Sequence, residues 1–264
     1  GVSIDVRGGD LTVNAGITSN GPVQLRASGN INVLEQTEVS GGYVNADGIS
    51  LAAAFDFAAG TTDLTGAGGI TLAGSLVSQF DGGNGPIALA AGTAGITQTT
   101  GTLTGNTLTV QSGGDATLNN AVPLTSDPYA PYDSNQIEAL GPSHVVGNFS
   151  LAAYSLNYFG TYDPTIDIAL TGAITVGGTL SLVGQETGFT QQPGAVLTAA
   201  QLNATAVDFG DLTFGGDNQI ATLGTLSGNG ITVRNVTDLA VSGPVASLSG
   251  LTVSVAGGDL VVNG

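Results

Sequence analysis

The sequence GGDLTVNAG occupies residues 8–16, and GGDLVVNG occupies residues 257–264, so nearly the same phrase stands close to both ends of this 264-residue chain. Gly-Gly-Asp also occurs at 113–115 and 215–217, which gives successive spacings of 105, 102 and 42 residues. Each spacing lies near a multiple of about 21, and repetition at a fixed period is typical of folds that stack one structural unit many times. The phrase therefore predicts a repeat of about 21 residues.

A triplet of apolar, small and apolar residues recurs at a similar interval. The triplets begin, in steps of 20, 18, 21, 17 and 21 residues, at Leu11, Ile31, Ile49, Ile70, Ile87 and Leu108. Such alternation is typical of a strand, and one short strand cannot bury its apolar side without stacked neighbours. We therefore predict an all-β chain, a parallel β-solenoid with about 20–21 residues per coil, in which Ile31, Ile49, Ile70 and Leu108 lie directly above one another.

The composition supports strands and limits the classes of partner. The chain has 43 Gly, no Cys, three basic and 20 acidic side chains, and a net charge of −17. Thr, Ser, Val, Ile and Asn dominate, and these residues favour strands and turns over helices. The charge opposes binding to phosphate backbones, and no apolar run reaches the roughly 18 residues that cross a bilayer. We expect no nucleic-acid partner and no membrane insertion.

Two alternative folds stay open. An antiparallel sandwich or barrel also uses many short strands, but it gives no reason for a phrase that returns at one period. The Ala-rich segments 51–59 and 197–207 could be helical, although the glycines and β-formers around them favour strands.

The period breaks near the middle of the chain, in a segment rich in proline and tyrosine. Because proline cannot donate to a strand ladder, we predict that residues 119–145 form a loop insertion that leaves the sheet. Exposed aromatic side chains can stack on sugar rings or anchor a protein interface. The candidate binding residues, which could instead pack the loop against the shaft, are Tyr129, Tyr132, Tyr154, Tyr158 and Tyr162.

Two phrases occur twice. Ile96-Thr-Gln is matched by Phe189-Thr-Gln 93 residues later, and Asn135-Gln-Ile is matched at 218–220. Together with GTLSLVGQETGFTQ at 178–191, DNQIATLG at 217–224 and VTDLAVSGPV at 236–245, this pattern resembles the repeat arrays of filamentous-haemagglutinin-type bacterial surface proteins, which belong to two-partner secretion systems.

The resemblance implies a right-handed parallel β-helix that is secreted to the bacterial cell surface. It implies a non-catalytic structural and adhesive role, with a glycan or a receptor on a host or neighbouring cell as the partner. Residues 1–264 are then a single shaft within a longer array. The shaft could continue through further coils of the same chain or through end-to-end self-association of separate copies.

Catalysis is the main functional alternative, because polysaccharide lyases and hydrolases also use β-helices. The bases available to such an enzyme are Arg7, Arg26, Arg234 and His144. The sequence assembles no acid, base and metal together, so we predict no catalytic residues and no organic cofactor. Arg7 and Arg26 are instead expected to pair with Asp5 or Asp10.

The densest acidic group contains Asp208, Asp211 and Asp217. Carboxylates in turns usually face solvent, and we expect these to do the same. Ca²⁺ is kept as a candidate ion at Asp208 and Asp211, since oxygen ligands suit it.

Overall fold

The computed structural model describes residues 1–41, 48–80, 83–120, 134–155, 166–185, 187–207 and 210–263. These residues form strands, turns and bends, with no helix among them. The search of the described part for a helix able to cross a membrane finds none. The prediction of an all-β chain is confirmed.

The strands of the first half are short, and those of the second half are longer. The first fourteen are β1 (Val2–Val6), β2 (Leu11–Val13), β3 (Ile17–Thr18), β4 (Val23–Ala27), β5 (Ile31–Val33), β6 (Glu38–Gly41), β7 (Ile49–Ala52), β8 (Phe55–Asp56), β9 (Thr61–Thr62), β10 (Gly69–Leu72), β11 (Ser75–Phe80), β12 (Gly83–Asn84), β13 (Ile87–Ala91) and β14 (Gly95–Gln98). The others are β15 (Leu103–Ser112), β16 (Ala116–Leu118), β17 (Gln136–Leu140), β18 (Ser143–Val145), β19 (Phe149–Ser155), β20 (Ile168–Leu170), β21 (Ala173–Gly184), β22 (Phe189–Gln191), β23 (Val196–Ala206), β24 (Leu212–Asn235), β25 (Leu239–Val241), β26 (Val245–Val255) and β27 (Leu260–Val262).

The strands pair in parallel and in a constant order. β1 pairs with β4, β2 with β5 and β3 with β6, so three columns of strands run through the molecule. The next partners are β7, β10 and β11. Within the described residues the two antiparallel pairings are β8 with β9 and β11 with β12. The parallel pairing excludes the antiparallel sandwich.

The second column is continuous through eleven successive Cα partners. They are Leu11, Ile31, Ile70, Ile96, Ala116, Phe149, Leu180, Leu202, Leu223, Val241 and Val262. From Ile31 to Leu223 every one of these side chains is buried, and from Ile31 to Leu202 the residue that follows each of them is partly or fully exposed. This period of two follows from the pleat of a strand. The buried members of this column belong to one hydrophobic core.

The prediction that Ile31, Ile49, Ile70 and Leu108 lie directly above one another is wrong. Ile31 pairs with Ile70 in the second column, whereas Ile49 and Leu108 both pair with Ile87 in the first column. The triplet pattern alternates between columns because every column needs the same inward apolar pattern. The steps of 18, 21 and 17 residues from Ile31 to Ile87 each change column, so they are not repeat lengths.

The distance along the chain between paired residues varies. Leu11 and Ile31 are 20 residues apart, Ile31 and Ile70 are 39 apart, and Ala116 and Phe149 are 33 apart. The long interval to Ile70 includes the β8–β9 hairpin, which lies outside the parallel columns. The period of about 20 residues thus holds where no segment interrupts it.

The predicted insertion at 119–145 is described in part. Residues 121–133 lie outside the described residues. β17 and β18 belong to the parallel sheet, where Gln136 pairs with Thr104 and Val145 pairs with Ser112. The sheet therefore resumes by Gln136, within the segment assigned to the loop.

The repeated phrases place two buried amide pairs in the core. Gln98 Nε2 donates to Asn135 Oδ1 at 2.7 Å, and Asn135 Nδ2 donates back to Gln98 Oε1 at 2.8 Å. Gln191 and Asn218 make the same reciprocal pair at 2.8 and 3.1 Å. Buried polar groups need such partners. The matched phrases are therefore the two halves of one structural motif that is used twice.

Candidate functional site

The Gly-Gly-Asp phrase supplies backbone caps between layers. Asp10 Oδ1 accepts a hydrogen bond from Asn30 N at 2.7 Å, and Asp115 Oδ1 accepts one from Asn148 N at 2.7 Å. A Cβ on Gly29 would collide with Asp10, so glycine permits this close approach. These two carboxylates hold the turn of the strand that pairs next, whereas Asp217 of the third copy forms an ion pair with Arg234.

The candidate Ca²⁺ ligand Asp211 has a similar contact. Its Oδ1 accepts hydrogen bonds from Gly230 N at 2.8 Å and Asn229 Nδ2 at 2.9 Å. Asp208 lies outside the described residues. The search of the described part for three or more clustered His, Cys, Asp or Glu side chains finds no metal-binding group. Asp211 therefore caps a turn, and Ca²⁺ at Asp208 and Asp211 stays a prediction.

Two of the arginines considered as bases for lyase chemistry are engaged in ion pairs. Arg26 forms a two-point ion pair with Asp5, with Nε–Oδ1 and Nη2–Oδ2 distances of 2.7 and 3.0 Å. Arg234 forms an ion pair with Asp217. His144 is exposed on β18. Pairing of Arg26 with Asp5 is confirmed. The guanidinium groups of Arg26 and Arg234 are both engaged by carboxylates.

The five tyrosines predicted as candidate binding residues are only partly described. Tyr129, Tyr132, Tyr158 and Tyr162 lie outside the described residues. Tyr154 is fully buried on β19, where its Cα pairs with that of Gln136. Its assignment to an exposed binding platform is therefore wrong, because the inward side of a parallel strand faces the core.

An aromatic and basic cluster lies at the β8–β9 hairpin. The rings of Phe55 and Phe57 meet edge to face, with centroids 5.0 Å apart and an interplanar angle of 70°. The guanidinium carbon of Arg26 lies 5.2 Å from the Phe55 centroid, and that of Arg7 lies 5.1 Å from the Phe57 centroid. Both distances suit a cation–π contact. Two of the chain's three basic side chains thus meet on one hairpin.

These side chains border an open surface cleft, which we call the Phe–Arg cleft. It is lined by Arg7, Ser28, Phe55, Asp56, Phe57 and Ala58. Asp56 Oδ1 accepts hydrogen bonds from Ala58 N at 2.8 Å and Ala59 N at 3.1 Å. The carboxylate therefore fixes the hairpin turn that presents the two rings.

Arg7 differs from the other two arginines. Among the described residues, the ion pairs join Arg26 to Asp5 and Arg234 to Asp217, and none includes Arg7. The prediction that Arg7 pairs with Asp5 or Asp10 is wrong, because its guanidinium lies over Phe57 instead. A guanidinium that stacks through its face keeps the N–H donors in its plane for an acceptor. The Phe–Arg cleft therefore combines aromatic faces with an available cation.

Sequence reasoning missed Phe55 and Phe57. The signal was Phe-Asp-Phe at 55–57, which places two large rings on one side of an extended segment inside an otherwise Ala-rich stretch. Their meeting with Arg7 and Arg26 could not be read from the sequence, since it depends on where the hairpin folds back on the first two layers.

No protein-family model matches this chain, and neither the curated proteins nor the solved structures contain a match. The resemblance to filamentous-haemagglutinin-type repeats therefore stays a prediction.

Proposed function

We propose that the chain folds as a right-handed parallel β-helix whose three faces are the three strand columns. The constant order of pairing supports this, because β1, β2 and β3 are followed by β4, β5 and β6 as their respective partners. The longer intervals are coils that carry lateral excursions, such as the β8–β9 hairpin. The handedness is that of the family which the sequence resembles.

The stacking can be measured with pairs of spin labels. The chain has no cysteine, so cysteines introduced at two outward positions are the only thiols. Thr12 lies five layers from Ser150 and six from Ser181 in the second column. At about 4.8 Å per layer, we expect backbone separations of about 24 and 29 Å. Label distances that do not increase with layer number would contradict the stack.

We further propose that this β-helix is a non-catalytic, structural and adhesive element of a bacterial cell surface. The continuous buried core supports a stiff shaft, and the Phe–Arg cleft supports a binding role on its side. The single observation that carries the adhesive proposal is the position of Arg7 over Phe57, beside Phe55, at an open cleft.

The ligand class that fits this cleft is an acidic glycan. Aromatic rings offer apolar faces to the faces of sugar rings, and a guanidinium pairs with a carboxylate through two parallel hydrogen bonds. The surrounding chain is acidic, so long-range attraction is weak and recognition depends on these short contacts. End-to-end association of copies remains a second proposed contact of the shaft.

The cleft should bind an acidic oligosaccharide in preference to a neutral one. Oligogalacturonate should bind measurably in calorimetry, and a cello-oligosaccharide of equal length should bind more weakly. Arg7→Gln should weaken oligogalacturonate binding by up to about fivefold, because an exposed ion pair contributes about 0.2–1 kcal/mol. Phe57→Ala should also weaken it, because the stacking face is lost.

Arg234→Gln is the matched control for the change at Arg7. It removes an arginine that is ion-paired with Asp217, away from the cleft. Its affinity for oligogalacturonate should equal that of the unmodified protein. Equal loss in both arginine variants would mean that total charge, rather than the Phe–Arg cleft, governs binding. Turnover of the oligosaccharide would favour the carbohydrate-active enzyme instead.

A further inference from the structure

Three polar side chains converge beside the third column of strands. Asn106 lies on β15 and Glu138 on β17, and the pairing of Thr104 with Gln136 and Thr107 with Ala139 places them opposite each other. On the other side of Asn106, its backbone N donates to Gly85 O at 2.9 Å. Asn84 precedes that glycine, so the three side chains occupy successive layers.

The amide oxygens of this group lack donors. Asn84 Nδ2 donates to Glu138 Oε1 at 3.3 Å, which brings the outer members of the group together across Asn106. Asn84 is 6% exposed, and its Oδ1 is buried without a hydrogen-bond partner. Asn106 Oδ1 is likewise buried without a partner. Burial of a polar oxygen with no partner is unfavourable and calls for an explanation.

The carboxylate of Glu138 is also poorly compensated. It is half-buried, and burial raises the pKa of Glu138 above its usual range, although the hydrogen bond from Asn84 offsets part of this effect. The ion pairs found in the described part of the chain involve Asp5 and Asp217, not Glu138. One carboxylate and two buried amide oxygens without donors therefore belong to one group of neighbouring side chains.

We propose that Asn84 Oδ1, Asn106 Oδ1 and the Glu138 carboxylate bind a Ca²⁺ ion. Ca²⁺ prefers carboxylate and amide carbonyl oxygens and tolerates irregular geometry, with water completing its shell. Mg²⁺ demands a nearly ideal octahedron and is less suited. A site with one carboxylate belongs to the weak class, with a dissociation constant of about 10⁻⁴–10⁻³ M, as in extracellular modules.

Calorimetric titration of the chelator-stripped protein with CaCl₂ tests the site. In about 150 mM NaCl the Debye length is about 8 Å, which reduces the diffuse attraction of Ca²⁺ to the acidic surface. We expect one Ca²⁺ per chain and a rise of the midpoint of thermal unfolding with CaCl₂ concentration. Glu138→Gln should lower the affinity at least tenfold and abolish that rise. The matched control Glu38→Gln removes an exposed carboxylate and should change neither result.

A second variant should improve the site. Asn106→Asp adds a second carboxylate, so it should tighten Ca²⁺ binding at least tenfold while lowering the unfolding midpoint in the absence of the ion. Circular dichroism confirms that each variant retains the strand content of the parent. The proposal is overturned if Glu138→Gln and Glu38→Gln titrate alike, or if Asn106→Asp binds Ca²⁺ no more tightly than the parent.

Discussion

Replacement of Asn218 by alanine should lower the free energy of unfolding by about 3 kcal/mol or more. Asn218 Oδ1 accepts from Gln191 Nε2 at 2.8 Å and from Leu197 N at 2.9 Å. Its Nδ2 lies 3.1 Å from Gln191 Oε1, 3.1 Å from Phe214 O and 3.0 Å from Arg234 O. The truncation leaves several of these buried groups unpaired, at a cost of about 1–3 kcal/mol each. Urea unfolding followed by circular dichroism measures the loss.

Asn229→Ala is the control for that experiment. Asn229 also donates a side-chain hydrogen bond, to Asp211 Oδ1 at 2.9 Å, but the pair is exposed and water can replace it. Its effect should stay within about 0.5 kcal/mol, as is usual for surface substitutions. If Asn229→Ala and Asn218→Ala cost the same, the amide pair at Gln191 and Asn218 is not a buried element of the core.

A double-mutant cycle isolates the amide pair from its backbone contacts. The combined change of Gln191→Ala and Asn218→Ala should cost less than the sum of the single changes, because the second truncation removes a group that the first already left unpaired. Contacting buried residues usually couple by about 0.5–3 kcal/mol. Additive costs would argue against the reciprocal hydrogen bonds.

Replacement of Leu180 by alanine should cost about 2–5 kcal/mol of unfolding free energy. Leu180 is fully buried in the second column, where Phe149 and Leu202 are its partners in the adjacent layers. The change removes its apolar contacts and leaves a cavity that tightly packed neighbours fill only in part. Urea unfolding again gives the loss.

Leu248→Ala provides the same chemical change at an exposed site. Leu248 is 76% exposed, so the truncation removes little buried area and should alter the unfolding free energy by no more than about 0.5 kcal/mol. A similar loss in both variants would show that Leu180 does not lie in a continuous aliphatic core.

The recurrence of Gly-Gly-Asp illustrates how far a sequence phrase can be interpreted. Its spacing predicted a repeat, and in the structure the carboxylates of Asp10 and Asp115 accept backbone hydrogen bonds from Asn30 N and Asn148 N. The prediction that Ile31, Ile49, Ile70 and Leu108 lie above one another failed, because Ile49 and Leu108 both belong to the first column. Every column needs the same inward apolar residues, so a periodic pattern does not show to which column a strand belongs.

The candidate sites were harder to predict than the strands. Tyr154 was assigned to a binding surface by its proximity in sequence to other tyrosines, and it is a core residue. Phe57 and Arg7 are 50 residues apart in the chain, and no local pattern joins them. Sequence clustering reports neighbours along the chain, whereas binding clefts are made by neighbours in space.

By itself, the sequence determined the strand content, the inward and outward alternation of each triplet and the approximate length of an uninterrupted repeat. These properties follow from local backbone preference and from the pleat, which act within a few residues. Tertiary structure alone decided which strands share a column, which amides pair in the core and where the β8–β9 hairpin presents its rings. Those outcomes depend on the lengths of the segments between layers, which shift distant residues into or out of register.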